Sequence, residues 1–165
     1  MYFINILYIK LFVMQIDIVI AHYKQSCDWL IPLCIHIRNH HSIVLRNVWI
    51  YDKGLESDKD TTKRLLNMKI NVQTTSLANV GGCDHTYFTH MYNQYEHLAE
   101  VTLFLKDTLT VHTSNRRNRK QDTNLFRVKQ FITRLANIRH SVNHTPTTLF
   151  NVYNMSRSAY KDIWS

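Results

Sequence analysis

The stretch DIVIAHY, residues 17 to 23, is a short apolar run rich in β-branched side chains that ends in a histidine and a tyrosine. A strand with one wet face alternates apolar and polar residues. An unbroken apolar run belongs instead to a strand covered on both faces, as in a parallel sheet. Directly after it, SCDWLIPLCIHIRN (26 to 39) repeats apolar side chains at helical spacing through Trp29, Leu33 and Ile37, with Ser26 or Asp28 placed to cap and Pro32 near the first turn. A buried strand followed at once by a helix is the opening unit of an α/β fold.

The same alternation continues outward. Val44 to Tyr51 reads as a strand closed by the turn Asp52-Lys53-Gly54, and Thr61 to Met68 as a short helix. Ile70 to Leu77 has β-branched character, and Asn79 to Asp84 interrupts regular structure. With Asp84 as its cap, the following segment steps Phe88, Met91, Tyr95 and Leu98 at helical intervals, which predicts an amphipathic helix resting on the sheet by those side chains. Val101 to Leu105 is a further strand, and a helix from about Thr123 to Arg139 carries Leu125, Val128, Ile132 and Leu135 on one face. Parallel strands need crossover connections, so the expected fold is α/β, a mostly parallel sheet with helices on both faces. The expected layout is an apolar leader or extra strand over 1–14, one domain over 15–140, and a C-terminal tail over 141–165.

At 165 residues with 45% apolar content, the chain can bury a core without staples. A charged fraction of 19% argues against disorder. The formal charge of +8 is uneven: residues 1–111 hold ten Lys/Arg and ten Asp/Glu, whereas 112–139 hold eight against one. That basic segment includes NRRNRK (115 to 120), a tract suited to phosphate-bearing partners, with nucleic acid among them. Cys27, Cys34 and Cys83 show neither zinc-ribbon pairing nor disulfide-scaffold density, which favours a reduced, cytoplasmic setting. The first 14 residues lack a cleavage site and an uninterrupted span, leaving a membrane anchor toward a secretory lumen as the alternative to a buried strand.

Ligands of open α/β sheets collect beyond the carboxyl ends of the strands. Four segments qualify: His22-Tyr23-Lys24, Asp52-Lys53-Gly54, Asn79 to His85, and Lys106-Asp107-Thr108. Two of the chain's three glycines, Gly81 and Gly82, sit together before a helix, where backbone N–H groups and the helix dipole suit a phosphate. Asp107 follows a strand directly and is the candidate ligand of a divalent cation, manganese or magnesium. His36 and His40 have the i, i+4 spacing of a helix metal pair, yet no acidic residue accompanies them in that motif, so capping or surface roles are expected.

The order IVIAHYKQSCDWL, VWIYDKG, NVGGCDHTYFTHMYNQYEHLAEVTLFLKD resembles a family of unknown function that is similar to the A-type, nucleotide-diphospho-sugar glycosyltransferases. The match covers about residues 17 to 108 and rests on Asp28-Trp29-Leu30, Tyr51, Lys53, Gly54, Asn79, Gly81, Tyr87, Asn93, Tyr95, Leu98, Phe104 and Leu105. Two departures stand out. The acid that usually follows the glycine is displaced to Asp84, and no Asp-x-Asp follows VTLFL. The resemblance implies a glycosyltransferase-A-like fold, truncated in so short a chain, that binds a nucleotide-sugar donor and transfers the sugar to an acceptor. Asp107 would hold the metal, and Tyr23, Asp52, Asn79, Gly81 and Gly82 would contact the donor. His22 and Asp84 are the candidates for proton transfer. The alternatives are a noncatalytic binding protein that kept the fold and a basic nucleic-acid-binding accessory protein.

Overall fold

The computed structural model describes residues 13–54, 58–110 and 123–141. Residues 1–12 of the apolar leader, the basic tract 115–120 and residues 142–165 of the tail lie outside them, whereas Met14 begins the first strand and Ser141 ends the last helix. The elements run β1 (Met14–His22), α1 (Leu30–Arg38), β2 (Ile43–Asp52), α2 (Lys59–Asn67), β3 (Val72–Ser76), α3 (Gly82–Asn93), β4 (Val101–Lys106) and α4 (Thr123–Ser141), with 3-10 turns at Tyr95–His97 and Asp107–Thr110. The four strands form one sheet in the order β3-β2-β1-β4, and every pairing is parallel. The expected α/β class with helices on both faces is what the chain adopts.

Side-chain alternation divides the sheet's two faces. Ile16, Ile18 and Ile20 of β1 join Val48, Ile50, Leu103 and Leu105 in the larger core, covered by Leu30, Leu33, Cys34 and Ile37 of α1, Leu65 of α2 and Leu125, Val128, Ile132 and Leu135 of α4. Each such aliphatic side chain contributes about 1.5–3 kcal/mol when withdrawn from water. The expected apolar face of the last helix is therefore the buried one. On the other face Val19, Ala21, Tyr51 and Phe104 pack against Tyr87 of α3.

The face that α3 turns to the sheet differs from the expected one. Phe88 and Tyr95 are 69% and 79% exposed, while Thr86, Tyr87 and His90 are buried. Aromatic complementarity selects this rotation: Tyr87 lies 5.0 Å from the Phe104 ring, and His90 packs edge-on against Trp49, Tyr51 and Phe104. Asp84 does not cap α3. Gly81, at φ 61, is the N-cap and Gly82 follows at φ 56, so two left-handed residues turn the chain into the helix and leave Asp84 in its first turn.

One carboxylate is buried within the sheet. Asp17 is 1% exposed and faces the α3 side, opposite a bulge where the register moves from Ile16↔Leu45 to Asp17↔Asn47. The extra residue, Arg46, folds back to donate from Nε and Nη2 to the two Asp17 oxygens, at 3.0 and 2.5 Å. Asn47 N–H, Asn47 Nδ2 and Trp49 Nε1 also donate to it. A buried charge is tolerable only when paired and saturated with donors in this way.

Candidate functional site

The chain steps outward from β1 to β2 to β3, then α3 crosses the opposite face and β4 is laid on the far side of β1. This reversal separates the connections that leave β1 and β4 and opens a crevice at their carboxyl ends. A cleft of about 240 Å³ lies there, lined by Ala21, His22, Tyr23, Lys53, Asn79, Gly82, Cys83, Lys106, Asp107 and Thr108. All four segments singled out in the sequence contribute to it.

Backbone packing under the cleft is tight. An added Cβ at Gly54 would lie 1.7 Å from the Tyr23 carbonyl oxygen, so only glycine lets the turn after β2 pass the turn after β1. Lys53, 8% exposed, sends its Nζ to the carbonyls of Val80 (2.6 Å) and Gly82, and thereby ties β2 to the entrance of α3. At Gly82 itself an added Cβ would meet nothing within 4 Å, so this position faces open space.

Asp107 has a different task from the expected metal ligand. Its Oδ2 accepts the N–H groups of Tyr23, Lys24 and Gln25 at 2.9, 3.0 and 3.0 Å, and its carbonyl accepts the Trp29 indole N–H at 3.1 Å. Three successive N–H groups aimed at one oxygen form an anion nest. Here the nest is filled from within the chain. Neither Lys106 nor Thr108 supplies a second carboxylate, and the described group of side chains with metal-ligand spacing does not include Asp107. Asp107 Oδ2 is thus committed within the chain, and no chemical step is assigned to a cation at the end of β4.

His22 and Asp52 do meet. His22 is 2% exposed, and its Nδ1 lies 3.3 Å from Asp52 Oδ1, which also receives the Gly54 N–H at 3.0 Å. Asp52 thus stands behind the cleft rather than in its wall. Tyr23, Asn79 and Gly82 line the cleft, whereas Gly81, the N-cap of α3, and the exposed Asp84 are not among the lining residues. Of the two proton-transfer candidates, only His22 reaches the cleft.

Two residues that sequence reasoning did not single out stand next to His22. Cys27, fully buried, and Asp58, the N-cap of α2, each place a ligand atom within 4.8 Å of the others and of an imidazole nitrogen. Asp58 Oδ2 accepts Cys27 N–H at 2.6 Å and the Thr61 hydroxyl at 2.8 Å, and Oδ1 accepts Thr61 N–H at 3.1 Å. Burial alone would raise this carboxyl, but the hydrogen bonds from Cys27 and Thr61, with His22 nearby, hold it below its ordinary range. The Asp-x-x-Thr spacing at 58 to 61 was the legible signal for the cap. Nothing local announced its meeting with residue 22.

His36 and His40 form no such centre. Their Nε2 atoms lie 3.4 Å apart and both face the Thr133 hydroxyl of α4, with His36 also against the Lys129 carbonyl, so the pair joins α1 to α4. No helix among the described residues is long and apolar enough to cross a membrane. The chain matches no protein-family model, no curated protein and no solved structure.

Proposed function

We propose that the cleft between β1 and β4 binds the diphosphate of a nucleotide sugar and that the chain is a glycosyltransferase-like protein. The observation that carries this reading is the convergence of the loops after β1, β2 and β4 with Gly82, at the entrance of α3, on one crevice. The first turn of α3, a 12-residue helix, offers N–H groups and the positive end of its dipole to an anion, and Lys53 and Lys106 lie in the same wall. At about 240 Å³ the cleft is smaller than pockets for drug-sized ligands, roughly 300–1,000 Å³, so it suits the diphosphate and an adjoining ring, with the remainder of the donor lying outside it. The resemblance over residues 17 to 108 supplies the sugar and the transfer.

Thermal unfolding of the full chain with uridine or guanosine diphosphate, with and without manganese, tests the binding. A rise in Tm is expected that tracks nucleotide concentration. Gly82→Asp would project a carboxylate into the open space of the cleft and remove the shift, whereas the neutral Gly82→Asn would keep it. Absence of a shift with either nucleotide, or a shift that survives Gly82→Asp, would overturn the proposal. Release of the diphosphate from a nucleotide sugar, dependent on an added acceptor, marks the transferase. Stabilisation without release marks a noncatalytic binding protein.

A further inference from the structure

We infer that His22, Cys27 and Asp58 form a binding site for a thiophilic divalent cation of the zinc class, set behind the cleft where the start of α1 meets the N-cap of α2. The three side chains come from separate elements: the last residue of β1, the turn before α1 and the residue before α2. Their ligand atoms all lie within 4.8 Å of one another. In a tetrahedral site with metal bonds of about 2.0–2.3 Å, ligand atoms stand roughly 3.3–3.8 Å apart, so closing on an ion needs movement of about an ångström. Imidazole, thiolate and carboxylate together suit zinc rather than magnesium or manganese.

Two further observations point to a cation. With Nε2 as the ligating atom, Asp52, 3.3 Å from His22 Nδ1, would take the place of the carboxylate that metal sites commonly set behind a ligating imidazole. Asp58 accepts three hydrogen bonds, and a carboxylate has about four lone-pair directions, so one remains for an ion. Binding of the ion would convert the Cys27 thiol to a thiolate with release of one proton to solvent per ion.

The test uses cobalt(II) and zinc(II) on the reduced full chain without nucleotide, which keeps it separate from the binding proposed for the cleft. Cobalt is expected to bind at one equivalent with a sulfur-to-cobalt charge-transfer absorption, zinc to abolish that absorption by displacement, and apparent affinity to fall about tenfold for each pH unit lost. Cys83→Ser should leave the band in place and Cys27→Ser should remove it. If Cys27→Ser does not fold, the double variant Cys34→Ala, Cys83→Ser leaves Cys27 as the sole thiol, and the band there sustains the assignment. No thiolate band in the wild-type chain, its persistence in folded Cys27→Ser, or its absence from the folded double variant would overturn it.

Discussion

Gly54 and Gly82 carry the same residue for different reasons, and substitution separates them. At Gly54 a methyl group would overlap a backbone carbonyl that cannot rotate away, since Tyr23 is held by its N–H to Asp107. Gly54→Ala is expected to destabilise the fold by at least about 3 kcal/mol in urea unfolding, by displacing one of two packed turns. Gly82→Ala meets no neighbour and should cost only about 1 kcal/mol, the penalty of a left-handed alanine. Equal losses at the two positions would contradict this account. The sequence marked both glycines as turn residues. It held no sign that one of them faces a carbonyl from a turn 31 residues earlier.

Among the elements, α3 is joined to the sheet through a buried polar contact that acid should loosen. His90 is fully buried, with Nδ1 3.0 Å from the Tyr51 hydroxyl and Nε2 without a hydrogen-bond partner among the described residues. Burial, with the Arg46 charge adding and Asp17 opposing, lowers its pKa to about 4. The unfolded chain holds this histidine at about 6.5 and so binds more protons than the folded chain between the two values. Stability therefore rises with pH across that window and is lost as pH falls from about 6.5 toward 4, by up to about 3 kcal/mol. His90→Phe keeps a ring among Trp49, Tyr51 and Phe104 but cannot titrate. Urea midpoints measured from pH 7 to pH 4 should slope less for the variant than for the wild type, and parallel curves would rule out His90 as the cause.

Over the whole molecule, the two cores place the thiols in unequal positions. Cys27 and Cys34 are fully buried, and burial raises Cys34 to about 12, whereas Cys83 is half-buried beside Asp84 at the cleft. In the metal-free native protein an aromatic disulfide reagent should therefore modify one thiol readily, at Cys83. Cys34 sits in the core shared by β1, α1 and α4, so its modification should follow global opening and accelerate with denaturant in step with unfolding. Rapid labelling of all three in native conditions would show that this core opens locally.

Read by itself, the chain determined its class and most of its elements. Short, largely apolar runs such as 17–23 and 101–105 point to strands buried on both faces, and that burial calls for helices between parallel strands. The candidate cleft was legible too, because strand ends and glycine pairs are local features of sequence. Other properties were settled only in three dimensions. Phe88 and Tyr87 are both aromatic neighbours on α3, and which of them faces the sheet depends on Phe104, Trp49 and Tyr51 across the interface. Asp107 read as a strand-end carboxylate open to a metal until the N–H groups of residues 23 to 25 were brought to its oxygen. His22, Cys27 and Asp58 span 36 positions in the chain, and their meeting follows from strand order and helix docking. Periodicity records which side of an element is apolar, whereas the partners of a charged or titratable group are chosen by long-range packing, which no local pattern encodes.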